Sequence, residues 1–296
     1  MAVIPTELTP RRIQTPFNWY GGKGLLGNKI IPLLPPGAVY CEPFCGSASI
    51  FWHRPAPVGV EILNDLEGDI INLFRVLQNP KTFKEFEHRI NWTPYSLDEF
   101  RKSLCLNPDA SPLERAWAFY VRTNQGFGAI PNPKTEGRWS RALQAPQGVA
   151  SNVRRWNNRK AHFAWWHSRL QNVQLDNRDA LQVLRYWDSP ETVFYLDPPY
   201  VLNTRKCRAY NFEGSDNFHN QLVETLLSIQ GGAVLSGYAT PIYEPLERAG
   251  WERHDFQTSC FAASRGRGTC IRGTGSATKN VPRVESVWVK QPGKIL

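Results

Sequence analysis

No apolar run in these 296 residues is long enough to span a bilayer; the tightest, such as residues 233–235, are strand-sized. Residues 1–12 lack the continuous apolar centre of a secretory signal and are interrupted by Pro5 and Pro10. A cytoplasmic protein is therefore expected. Among the six cysteines no two form a C-x-x-C pair, and no histidine pair accompanies them at zinc spacing. Reduced thiols are expected, and a metal site is not. Repeats and low-complexity tracts are missing as well, which excludes solenoids, propellers and linker arrays.

What is present describes an ordinary globular chain. Hydrophobic residues make up 41% and charged residues 21%, too apolar and too weakly charged for disorder. The length suits one large domain with an insertion, or two modest ones. The net charge of +9 is unevenly spread. Lys and Arg outnumber Asp and Glu 14 to 7 over residues 80–165 and 7 to 1 from residue 257 onward, while the rest runs 14 to 18. Two basic blocks on a mildly acidic body suit a polyanion held by dedicated surfaces. On charge alone, solvated basic faces serve equally well.

Strand and helix signals alternate through residues 17–77. Val39-Tyr40-Cys41 reads as a short strand running into the turn Glu42-Pro43-Phe44-Cys45-Gly46-Ser47, and residues 48–52 open a helix. A second strand over residues 58–63 ends in Asn64-Asp65. Ile70, Ile71, Phe74 and Leu77 recur at helical spacing until Asn79-Pro80 stops them. Residues 80–165, rich in Pro, Asn, Arg and Trp, read as an inserted helical subdomain. Within it, residues 126–144 predict a hairpin or extended loop with a basic tip. Val193-Phe194-Tyr195-Leu196 is a continuous apolar run, the mark of a strand buried on both faces. Leu222, Leu226 and Ile229 give a helix closed by Gly231-Gly232, and another strand begins at residue 233. This alternation predicts an open, mostly parallel α/β sheet over residues 1–79 and 166–296, interrupted by 80–165. Such sheets bind ligands at the carboxyl ends of their strands, where the motifs below fall.

The sharpest motif is Asp197-Pro198-Pro199-Tyr200, directly after the apolar strand. Two prolines cannot continue a parallel ladder, so the backbone leaves the sheet there. A carboxylate, a carbonyl and an aromatic ring within four residues match a planar base with an exocyclic amine. Asp197 and the Pro198 carbonyl would accept the two N–H bonds, and Tyr200 would stack on the ring. A plain strand-ending turn with a stacked tyrosine is the alternative. The small residues of the Glu42 to Ser49 segment let a ligand approach the backbone, or simply make a tight turn. Asp65, 19 positions after Gly46, stands where an acidic residue commonly holds a ribose, although capping a helix is an equally ordinary role.

Taken in order, Phe17-Asn18-Trp19-Tyr20-Gly21-Gly22-Lys23, Glu42-Pro43-Phe44, Ile62-Leu63-Asn64-Asp65 and Asp197-Pro198-Pro199-Tyr200 resemble the motifs of the Dam-like (D12 class, alpha-group) adenine-N6 DNA methyltransferases. The segments 118–128, 172–184 with Asp179, 218–219 and 235–238 fit too. The resemblance implies a Rossmann-like, S-adenosyl-L-methionine-dependent catalytic sheet with a mainly helical target-recognition insertion. It implies cofactor contacts from Trp19, Tyr20, Lys23, Glu42, Phe44 and Gly46, with Asp65 at the ribose, Asp179 at the adenine amine and Asp197 beside the methyl donor. One departure is Ala48, which stands where many members carry the second Gly of F-x-G-x-G; cofactor binding is expected to survive it.

The implied reaction is direct in-line methyl transfer to the N6 of a flipped adenine, with Asp197, Pro198 and Tyr200 as catalytic residues. The segment Arg122-Thr123-Asn124-Gln125 lies where the family contacts DNA. Lys134, Arg138, Arg141, Arg154, Arg155 and Arg159 are further candidates, and Arg265, Arg267 and Arg272 suggest a phosphate-binding loop. Double-stranded DNA is the expected substrate of an expected monomer, and a cognate restriction endonuclease is the one protein partner the resemblance admits. An RNA-base methyltransferase, a cytosine-N4 methyltransferase and a catalytically silent DNA-binding protein are the rival readings. The recognised DNA sequence is not legible in the chain.

Overall fold

The computed structural model describes residues 13–19, 21–24, 26–54, 59–127, 136–143, 145, 148–200, 215–259 and 282–293. Its strands are β1 (Val39–Glu42), β2 (Val60–Asn64), β3 (Val173–Asp176), β4 (Thr192–Leu196), β5 (Gly232–Gly237), β6 (Glu252–Ser259) and β7 (Pro282–Lys290). Its helices are α1 (Gly27–Ile30), α2 (Ser49–His53), α3 (Gly68–Gln78), α4 (Pro80–Trp92), α5 (Leu97–Leu104), α6 (Pro112–Gln125), α7 (Ser151–Lys160), α8 (Phe163–Leu170), α9 (Ala180–Trp187), α10 (Asp216–Ser228) and α11 (Glu244–Arg248). Among the described residues no helix is long and apolar enough to cross a membrane.

The chain divides into two compact units. One comprises residues 1–27, 46–55 and 67–177; the other comprises 28–45, 56–66 and 178–296. The helical unit therefore reaches beyond the 80–165 block read from composition, taking in α3, α8, β3 and the N-terminal segment. Its centre is aromatic. Phe86 meets Tyr120 and Phe163 edge-on, and Phe17 packs against both Phe74 and Phe119. Asn79-Pro80 ends one helix and starts the next. The Asn79 side chain accepts from the N–H groups of Lys81 and Thr82, while Pro80 takes the first helical position, where no N–H is needed. The expected hairpin is present at its base as a single antiparallel bridge, Gly126 to Trp139, and its tip lies outside the described residues.

The second unit carries strands in the order β2-β1-β4-β5-β7-β6. β2, β1, β4 and β5 run parallel, with Val39 opposite both Val60 and Thr192, and Val193 opposite Gly232. β4 is buried along its whole length, as its apolar run predicts for a strand covered on both faces. β7 and β6 then add antiparallel, a pair that the basic composition of the C-terminal block concealed. The α10 helix stops at Ser228, before the glycines expected to close it. Gly231 instead lies so near β4 that a Cβ there would stand 2.5 Å from the Thr192 carbonyl oxygen, and the Asp188 carboxylate accepts both the Gln230 and Gly231 N–H groups.

Strand order reverses at β1, which has β2 on one side and β4 on the other. That switch point brings the carboxyl ends of β1 and β4 side by side, the usual ligand position in sheets of this kind.

Candidate active site

Asp197 leaves the end of β4 half-buried, followed by buried Pro198 and half-buried Pro199 and Tyr200. Three phenols report the potential around it. Burial first, and then the Asp197 carboxylate, push the Tyr195 phenol well above its usual range, with Glu42 and Glu285 adding to the rise. The same two leading causes raise Tyr200, and Tyr243 is lifted by burial and Asp197. A hydrogen bond between the Tyr195 and Ser236 hydroxyls, 3.2 Å long, pulls Tyr195 the other way without reversing the rise. Glu42, at the end of the neighbouring β1, accepts from the Tyr40 hydroxyl at 2.7 Å. The strand ends thus form a region of carboxylates and protonated phenols with negative local potential, a setting that favours ligands rich in N–H donors or positive charge.

The loops that carry the other expected acidic residues are joined by one side chain. Asn64, fully buried at the end of β2, donates to the Pro43 carbonyl at 2.9 Å and to the Arg178 carbonyl at 3.1 Å, and accepts from the Arg178 N–H at 2.9 Å. The Cys45 N–H in turn donates to the Asn64 carbonyl. The loop after β1 with Glu42 and Phe44, the end of β2 with Asp65, and the turn into α9 with Asp179 are fastened together. The Cys45 thiol confirms the convergence, being raised by burial and then by Asp65 and Glu42. In the sequence Asn64 stands out only as a neighbour of Asp65. Its signal, a polar residue closing an otherwise apolar strand, was available but carries no information about partners.

Individual positions refine the expectations. Asp179 caps α9, its Oδ1 accepting from the Leu181 and Gln182 N–H groups. The residue at the N-cap position of α3 is Glu67, two positions after Asp65. Phe44 packs edge-on against Phe218, with ring centres 6.0 Å apart.

In the helical unit, Trp19 lies against Gly46, where an added Cβ would stand 2.7 Å from the indole Cδ1. Gly46 has φ +49°, in the left-handed region that suits glycine, and Ala48 follows at φ +54° with a side chain that does not. Lys23 is buried, its ammonium donating to the Gly21 carbonyl at 3.0 Å.

Several residues expected at DNA make bonds within the chain. Arg122 is buried, donating to the Ser103 carbonyl at 2.7 Å and pairing with Asp69 at 3.2 Å; burial lowers its pKa. Asn124 is buried and donates to the carbonyls of Pro16 and Tyr120. Gln125 is buried between the Pro94 carbonyl and the Ser96 N–H. Arg159 donates to the side chains of Asn124 (2.6 Å) and Asn18 (2.7 Å) and to the Thr15 carbonyl, and burial holds its pKa down to about 10. These side chains face inward from α6 and α7, whose packing the linear sequence does not state. Arg141 and Arg155 are exposed and Arg138 and Arg154 half-buried. Tyr20, Lys134, Arg265, Arg267 and Arg272 lie outside the described residues.

A parallel sheet reversing at β1, with Glu42 closing β1 and Asp-Pro-Pro-Tyr after β4, is consistent with a Rossmann-like methyltransferase fold. Comparison with known proteins narrows this. The chain belongs to the D12 class N6 adenine-specific DNA methyltransferase family, which it matches over residues 19–104 and 142–240. It is 25% identical over 221 residues to Modification methylase StsI of Streptococcus sanguinis, covering 68% of this chain and 31% of the relative. It is 37% identical over 62 residues to the DNA N-6-adenine-methyltransferase of Escherichia phage P1, covering 21% of this chain and 8% of that one. The chain thus spans under a third of the length of these curated relatives.

Proposed function

We propose that this chain methylates the N6 amine of adenine in duplex DNA with S-adenosyl-L-methionine as donor. The observation that carries the proposal is the grouping of Asp197 and Tyr200 with Glu42 and protonated phenols at the ends of β4 and β1. The donor suits this chemistry, because it presents an ammonium, a sulfonium, a ribose diol and an amine, all cations or N–H and O–H donors. The carboxylates of Glu42, Asp65 and Asp179, on loops joined through Asn64, fit such a ligand, and Phe44 offers an apolar face. Trp19, Tyr20, Lys23 and Gly46 are assigned to the same ligand by resemblance.

When bound, the donor supplies a methyl carbon already activated by its sulfonium. The protein's task is then position and charge. Asp197 and the Pro198 carbonyl accept the two N6–H bonds, which localises the nitrogen lone pair and stabilises positive charge as it develops on N6. Tyr200 stacks on the extruded base and replaces part of the stacking lost from the duplex. Residues 80–165 serve target recognition, with Arg138, Arg141, Arg154 and Arg155, which are exposed or half-buried, assigned to phosphates together with Lys134, Arg265 and Arg267. The name of the streptococcal relative supports a place beside a restriction endonuclease.

The test is incorporation of labelled methyl from S-adenosylmethionine into unmethylated duplex DNA, followed by hydrolysis to nucleosides. Label in N6-methyldeoxyadenosine is the expected result. Label in N4-methyldeoxycytidine, or in ribosomal RNA alone, would contradict the proposal.

A further inference from the structure

Glu285 lies beyond the family match, which ends at residue 240, and no motif of the sequence draws attention to it. It is nevertheless buried at the active end of the sheet. β7 runs antiparallel to β5, with Ser286 opposite Gly237, so the early part of β7 comes to the same edge at which the parallel strands finish. There Glu285 Oε1 accepts a hydrogen bond from the Tyr200 hydroxyl, across 85 positions of sequence. Tyr238, just after β5, meets the Tyr200 ring edge-on, with centroids 4.7 Å apart and planes at 68°. One contact fixes the far end of the ring and the other braces its side.

The geometry points to Glu285 as a positioning residue for methyl transfer: through the Tyr200 hydroxyl it sets the plane on which the target base stacks. This rests on the methyltransferase reading above. A phenol ring has two side-chain torsions, and a charge-assisted bond at its tip removes freedom from both. The plane of a stacked base follows the plane of its platform. The base's amine meets Asp197 squarely only when that platform is held, and small errors of placement are costly in a reaction that depends on alignment. Burying a carboxylate is itself unfavourable, so a scaffold position would be served as well by an apolar residue. The bond to Tyr200 gives the charge a use.

The experiment compares Glu285→Asp, Glu285→Gln and Tyr200→Phe, singly and with Glu285→Asp combined with Tyr200→Phe. Methyl incorporation into unmethylated genomic duplex DNA is followed at varied donor and DNA concentrations. Glu285→Asp keeps the charge but withdraws it by one methylene; kcat is expected to fall about tenfold with the KM for S-adenosylmethionine unchanged. Glu285→Gln keeps the reach and an acceptor oxygen, and should stay within about threefold of the unchanged protein. Tyr200→Phe should itself lose about tenfold, and adding Glu285→Asp to it should cost less than about twofold more, because no hydroxyl is left to hold. Full activity in Glu285→Asp, equal losses in the Asp and Gln variants, or independent losses that multiply in the double variant would overturn the inference and leave the proposed activity standing. No transfer by the unchanged protein would overturn both.

Discussion

The two compact units bury their polar groups in opposite ways. At the ends of β1 and β4 the interior polar groups are acids: Glu42, Glu285 and the phenols of Tyr195, Tyr200 and Tyr243, which feel the Asp197 charge. In the helical unit the corresponding group is a cation among amides, Arg159 with Asn18 and Asn124, which secures residues 15–18 against α6 and α7. The acidic set raises the cost of any further negative charge and so favours a cationic or N–H-rich guest. The arginine set has its donors engaged by the chain's own carbonyls and amides, and what it holds is the fold. The neighbours of these buried groups therefore differ between the units: carboxylates and phenols in one, amides and carbonyls in the other.

Alkaline pH should break the comparison most severely. The folded pKa values of Tyr195, Tyr200 and Tyr243 lie above the ordinary phenol value, so the stability these groups contribute is complete below that value and is lost as pH rises through the folded ones. Arg159 works the other way: its folded value of about 10 lies below the unfolded one, and the cost of burying its charge is relieved as pH climbs past it. With several phenols against one guanidinium, net loss is expected. Phenolate absorbance should lag in the folded protein and then rise together with loss of the circular dichroism signal. A smooth ordinary tyrosine titration with the fold intact would show these phenols to be accessible.

Asn64→Ala comes next. It strands two carbonyls and one N–H in the loops of the acidic unit and should cost about 3 kcal/mol in chemical denaturation. Donor affinity should fall with it, since three loops lose their common fastening; wild-type affinity in the folded variant would remove Asn64 from the site. Arg159→Met, which leaves amide oxygens unpaired in the helical unit but keeps the aliphatic stem's bulk, should cost about 2 kcal/mol. Smallest is Ala48→Gly, which touches neither network. It relieves a left-handed alanine and should stabilise by about 0.5 kcal/mol after the entropy of glycine is counted, read as a slightly higher Tm; a lower Tm would show that the buried methyl matters more than the backbone.

Much of the α/β frame was legible because its signals are local. The apolar run before Asp197, the helical spacing of Ile70, Ile71, Phe74 and Leu77, and Asn79-Pro80 each declare an element within a few residues. Asp197 and Tyr200 were legible as chemistry because they sit together in sequence. Glu285 and Asn64 were not, since each acts through partners that only the strand order brings near. β7 was hidden by Arg283 and Lys290, whose charges helped make residues 257–296 read as a basic block and masked the apolar Val287, Trp288 and Val289 between them. The burial of Arg122 and Arg159 was hidden for a related reason: charge counts along a chain do not reveal which charges face inward.

In the proposed reaction the carboxylate after β4 serves transfer and leaves donor binding to other residues. Asp197→Ala, assayed for labelled-methyl transfer and, in parallel, for binding of S-adenosylhomocysteine by calorimetry, tests it directly. Transfer should fall by about a thousandfold while the Kd stays within about threefold of the unchanged protein. A variant that keeps its transfer rate, or loses donor binding in proportion to activity, would contradict the claim.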